Sequence, residues 1–152
     1  MRIRAIIGTG LAAAVAATAG MTLIPLAASA QPTPAATHTY KFTSITQKEI
    51  DASSSAADAD YDYVGSKLSG FDTTWGKYNP KTKKIDVDVT VTTTGGILYA
   101  TVSGAPSASM FTGPVTGGVG TFANAKGTIT GKNLNKAGTK TAVTITYTTS
   151  GS

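Results

Sequence analysis

The residues of this chain whose types and spacing could do chemistry are, first of all, its aspartates. Asp86 and Asp88 stand two apart, which sets both carboxylates on one face of a strand. Paired carboxylates can share acid and base roles. Thr90 and Thr92 continue the same parity, however, so a solvated outer face is the expectation for both aspartates. Asp58, Asp60 and Asp62 resemble the opening of a D-x-D-x-D calcium loop. Such a loop needs glycine at its sixth position and glutamate at its twelfth, and those positions hold Tyr63 and Ser69. An EF-hand is therefore unsupported, leaving at most a weak adventitious Ca²⁺ contact. His38 is the single histidine and cysteine is absent, which argues against Ser-His-Asp and Cys-His catalysis and against zinc or copper. No metal and no cofactor is expected, and no catalytic residue is assigned.

Aromatic residues are the other chemical resource. Tyr63, Trp75, Tyr78, Tyr99, Phe122 and Tyr147 are the large rings able to fill or line a small barrel. Trp75 and Tyr99 each lie within a strand segment and are the residues expected to wall a cavity, whereas Phe122 reads as a plug. Lys81, Lys83 and Lys84 on a turn tip read as solubilising charge. The glycines from Gly117 to Gly120 lead into a strand and not a helix, so a phosphate loop is not supported.

The elements that must position these residues are strands. Ile85, Val87, Val89 and Val91 alternate with Asp86, Asp88, Thr90 and Thr92 across Lys84 to Thr94, a strict period of two. Burial of the four aliphatics contributes ~1.5–3 kcal/mol each. Val143, Ile145 and Tyr147 repeat the pattern near the C-terminus. Further strands are predicted over 39–46, with a bulge, and over 61–68 and 71–78, joined by a tight turn at Ser69-Gly70. Others are predicted over 97–103, after a Gly95-Gly96 hairpin, and over 110–116 and 125–133. The Ser/Ala/Asp-rich 53–60 reads as a loop. Eight strands with short connections predict an all-β sandwich or barrel.

At the N-terminus, Arg2 and Arg4, the apolar run from Ala5 to Leu26 and the A-S-A of Ala28–Ala30 read as a secretory signal over 1–30. A Pro/Ala/Thr linker over 31–37 and one domain over 38–152 follow. Cleavage would leave 122 of the 152 residues, enough for one core, and removing two arginines would lower the formal charge from +5 to +3. All remaining positive charges would be lysine, which does not favour nucleic acid. With the leader gone, no membrane association is expected. Without cysteine, stability must come from packing and a complete hydrogen-bond ladder, which closure of a barrel provides.

The segment Gly113–Gly131 carries G-G-x-G-x-F-x-x-A-x-G and runs into Thr128-Ile129-Thr130. This resembles the corner motif of the allene oxide cyclase and dirigent-like barrels. V-G-S-K-L-S-G-F-D-T-T-W-G-K-Y, T-G-G-I-L-Y-A-T-V-S-G and T-A-V-T-I-T-Y are similar to other strands of bacterial members, so the resemblance covers most of Val64 to Tyr147. It implies an eight-stranded antiparallel barrel with an apolar cavity. Plant members are often trimers, so it is compatible with a homo-oligomer. Plant cyclases constrain an epoxide in a greasy barrel, and dirigent proteins use acidic and aromatic cavity groups. Three functions follow as expectations: a secreted barrel binding an apolar or aromatic small molecule, an isomerase or cyclase acting by cavity shape, or a non-catalytic extracellular structural or interaction protein. A hollow interior would separate the first two from the third.

Overall fold

The alternation of Lys84–Thr94 is realised as a strand that puts Val89 and Val91 in the core and leaves Asp86 and Asp88 exposed. The computed structural model describes residues 35–149. The expected secretory signal over 1–30 and residues 31–34 of the expected linker lie outside the described residues. The described residues form one contact unit, and its eight strands are β1 (Thr37–Ala52), β2 (Ser55–Val64), β3 (Lys67–Asn79), β4 (Lys84–Thr93), β5 (Gly96–Gly104), β6 (Met110–Gly120), β7 (Lys126–Asn133) and β8 (Lys140–Thr148). Each pairs antiparallel with its sequence neighbour, and β8 closes onto β1. The result is the closed all-β barrel expected, and among the described residues there is no helix.

Three local readings are corrected. Residues 55–60 are strand and not loop: β2 begins at Ser55 and pairs along its whole length with β3. Alanine and aspartate are poor strand formers, but here the ladder on both sides overrides propensity. Ser69-Gly70 is not a turn. The chain reverses at Gly65-Ser66, with Gly65 at φ 63°, and β3 runs through Ser69 and Gly70. The register passes from Tyr63↔Leu68 to Asp62↔Gly70, so Ser69 is the extra residue of a bulge. The Ser69 hydroxyl donates to the Asp62 carbonyl at 3.1 Å and lies 3.0 Å from the Tyr40 hydroxyl, which pins that bulge. The glycine-rich stretch, finally, is mostly strand: β6 continues to Gly120, and the reversal lies at Thr121–Asn124.

The bulge foreseen in the first strand falls between Thr46 and Lys48. β1 itself starts at Thr37, one residue before the expected domain edge.

The barrel is packed unequally along its axis. One end is filled by Leu98, Val115, Phe122, Ala125, Ile129 and Ile145, all buried. Phe122 plugs this end, tilted against Tyr147 with ring centroids 5.4 Å apart. The glycines beside it allow the close approach, since a Cβ on Gly118 would lie 2.6 Å from the Ile97 carbonyl oxygen and press on Phe122. Towards the other end, where β2, β4, β6 and β8 begin, the interior is hollow.

Candidate functional site: an acid-walled cavity

The hollow end contains a cavity of about 260 Å³, slightly below the usual size of small-molecule sites. It opens into a wider vestibule between the loops that join β5 to β6 and β7 to β8, with Pro106, Ala108, Asn133 and Gly138 shared by both spaces. Most of its wall is apolar: Phe42 from β1, Val87 and Val89 from β4, Val102 from β5, Phe111 from β6, Ile129 from β7 and Val143 from β8. These are the inward-facing members of their strands, so the alternation that builds the core also builds this wall.

The wall formed by β2 and β3 is different. Asp58, Asp60 and Asp62 take alternate positions on β2 and point inward, and Asp72 of β3 stands directly opposite Asp60. Asp62 has no exposed surface and Asp72 retains 4%. Asp58, Asp60 and Asp72 line the cavity, and Asp62 lies behind them over Gly70, with its Oδ2 3.6 Å from the place a Cβ would occupy there.

Only two hydroxyls serve this cluster with hydrogen bonds of defined length. Ser44 Oγ donates to Asp60 Oδ2 at 2.9 Å, and Thr74 Oγ1 donates to Asp58 Oδ2 at 3.2 Å. Asp58 Oδ1, Asp60 Oδ1 and both carboxylate oxygens of Asp62 are buried without a donor. Among the described residues, no lysine, arginine or histidine lines the cavity. A buried carboxylate without a donor is costly, and the group responds by keeping a proton. Burial, then the neighbouring Asp72 and Asp60, push Asp62 up to about 9. Burial first, together with Asp60 and Asp58, raises Asp72 to about 6, while its hydrogen bonds to Asp62 and Ser44 act in the opposite sense. Burial side by side thus favours the neutral acid at both positions, more strongly at Asp62 than at Asp72. Asp58 is also raised, by burial first and then by Asp60 and Glu49.

The residues expected to wall the cavity do not. Trp75 and Tyr99 are 51% and 40% exposed and belong to the outward parity of β3 and β5, where their inward neighbours are Gly76 and Leu98. Lying within a strand did not settle which face a ring takes. Both sit on an outer surface that also carries Tyr61 and Phe71. His38 is exposed at the plugged end of the barrel, away from the cavity, and stacks on Tyr147 with ring centroids 5.3 Å apart. Asp86 is an outer-face acceptor for Ser103 Oγ at 2.8 Å. The carboxylates that face the cavity went unassigned, although A-D-A-D-Y-D is itself a period-two pattern.

A closed antiparallel barrel of eight strands, plugged at one end and acid-walled at the other, defines the class of architecture. No family model matches the chain, and no curated protein matches it in sequence. Solved structures do match. A pyocyanin demethylase aligns over 72% of this chain and 99% of its own at 18% identity and a TM-score of 0.62. A pterocarpan synthase dirigent protein aligns over 77% of this chain and 90% of its own at 14% identity and a TM-score of 0.64. The chain thus shares its barrel fold with these two solved structures.

Proposed function

We propose that this protein is exported and that its barrel binds an apolar or aromatic small molecule in the acid-walled cavity. The observation that carries the reading is the cavity itself: about 260 Å³, apolar on most sides, with carboxylates concentrated on one. A few polar groups converging on an otherwise apolar hollow is the usual form of a small-molecule site. The basic, apolar and A-S-A pattern of residues 1–30 supports export, with no membrane attachment once the leader is removed. Ligand-dependent thermal stabilisation tests binding. Phenolic or fatty-acid-like compounds should raise the melting temperature saturably. Val102→Trp, which fills the cavity, should abolish the effect. No stabilisation by any of them, in a protein that folds normally, contradicts the reading.

A second reading, isomerase or cyclase, is favoured by the Asp62–Asp72 pair. Asp72 reaches the cavity and Asp62 behind it retains a proton near neutral pH, so the pair could lend a proton to a bound substrate and recover it. Such a step is redox-neutral and needs no cofactor. The structural neighbours named as a demethylase and a synthase lend this reading support. Turnover lost in Asp62→Asn, which lies behind the cavity wall, with ligand affinity retained would establish it, whereas parallel loss of both would leave binding alone.

A further inference from the structure

The cavity wall has a charge problem that the chain does not solve with its own side chains. Of eight acidic residues, four are gathered inside the barrel on β2 and β3. Glu49 and Asp51 near the mouth add to the negative field felt by Asp58. The chain is basic overall, yet among the described residues none of its lysines lines the cavity. Asp62 is wholly buried, and neither of its carboxylate oxygens has a donor. Asp58 Oδ1 and Asp60 Oδ1 are in the same state. Like charges placed directly opposite on neighbouring strands are destabilising, and Asp60 and Asp72 are such a pair.

We propose that the ligand of this cavity carries a protonated nitrogen on an apolar or aromatic body, an organic ammonium or amidinium cation, held by Asp58, Asp60 and Asp72. The inference rests on the small-molecule reading above and names the chemical class. An N–H⁺ group in the cavity donates charge-assisted hydrogen bonds to the carboxylates that line it, Asp58, Asp60 and Asp72, and offsets the charge of the whole cluster in the same contact. Its apolar body fits the remaining wall, where Phe42 and Phe111 can also face a cation. An anionic ligand would meet repulsion from the same wall.

A bare metal ion fits less well. Successive inward positions on one strand are about 6.6 Å apart, whereas oxygens bound to one Ca²⁺ each lie roughly 2.3–2.6 Å from it. Only Asp60 and Asp72, as cross-strand partners, are close by backbone register. Among the described residues, no cluster of three or more potential ligands is placed to hold a metal. A row of spaced carboxylates suits an extended cation better than a point charge.

The test is calorimetric titration of the purified protein at pH 7.5 and low salt with three probes of matched carbon skeleton: 3-phenylpropylammonium, 3-phenylpropan-1-ol and 3-phenylpropionate. Calcium chloride alone is a fourth arm. The ammonium should bind at least about tenfold more tightly than the alcohol, with no detectable binding of the carboxylate. Asp72→Asn should weaken the ammonium about tenfold while changing the alcohol less than about twofold. Asp60→Asn serves as the second variant, and circular dichroism confirms that each folds. If neither variant folds, the ranking of probes by the wild-type protein decides. Equal affinity for alcohol and ammonium would overturn the cation inference and leave the small-molecule reading intact. Failure of all three organic probes would contradict both. Calcium binding without an ammonium preference would replace the proposal with a metal site.

Discussion

Asp60 of β2 and Asp72 of β3 are direct cross-strand partners inside the barrel, where an apolar pair would pack better. Asp62, wholly buried, lies two residues along β2, and neither of its carboxylate oxygens has a donor. A fold that needed only stability would not gather carboxylates here, because each buried charge costs free energy unless paired. The arrangement is understandable as a site carried on a scaffold that is otherwise packed in the ordinary way.

The acid pair makes stability depend on pH in a defined direction. In the folded state Asp62 and Asp72 sit at about 9 and about 6, above the 3.8 of an ordinary aspartate. Their contribution is therefore fully present below about pH 4 and is lost as pH rises, through about 6 for Asp72 and about 9 for Asp62. Each proton held only by the folded state steepens the fall by about 1.4 kcal/mol per pH unit. Urea denaturation at intervals from pH 5 to pH 9 should show declining stability, and Asp62→Asn should flatten the decline. A profile that rises towards pH 9 would contradict the pairing.

The inward parity of β4 gives a paired mutational test. Val89 is buried and Asp88 is exposed. Val89→Asp should cost about 3 kcal/mol or more, by adding an unpaired carboxylate to the core. Asp88→Asn should stay within about 0.5 kcal/mol. Equal effects in denaturant titrations would overturn the register.

The glycine corner should respond in stability and not in ligand affinity. A Cβ on Gly127 would run into the Thr146 carbonyl on β8, and one on Gly118 would press on Phe122. Alanine at either site should cost roughly 1–3 kcal/mol by overpacking. Both lie at the plugged end, away from the cavity lining. Loss of binding at unchanged melting temperature would show that these glycines belong to the site.

Much of the fold was legible because aliphatic residues alternate cleanly. Ile85 to Val91 and Val143 to Ile145 each fixed a strand and its inward face, and Gly95 marked a hairpin. The site was hidden by the same habit of reading. Asp58, Asp60 and Asp62 follow the strand period, but charged residues are taken to face water, and Ser53–Asp60 has the composition of a loop. Only the ladder with β1 and β3, a non-local property, turns them inward. Trp75 failed in the opposite sense. An aromatic residue in a strand suggested a cavity wall, yet the opposite parity of β3, with Asp72, Thr74 and Gly76, takes the inside. The Ser69-Gly70 bulge compounds the difficulty, because it resets the face on which every later β3 residue falls.

Export is checked by intact-mass analysis of culture supernatant. The A-S-A pattern predicts a species beginning at Gln31. A full-length chain retained with the cells would contradict it.

The central claim is that the hollow end of the barrel, and not its aromatic outer face, receives a small molecule. Amide chemical-shift mapping tests it most directly, using a ¹⁵N-labelled protein titrated with a panel of phenolic, fatty-acid-like and aromatic-amine compounds. Saturable shifts should concentrate at Phe42, Asp60, Asp72, Val102 and Phe111, with Trp75 and Tyr99 unmoved. Shifts confined to the Trp75 and Tyr99 face, or none that saturate, would contradict the account.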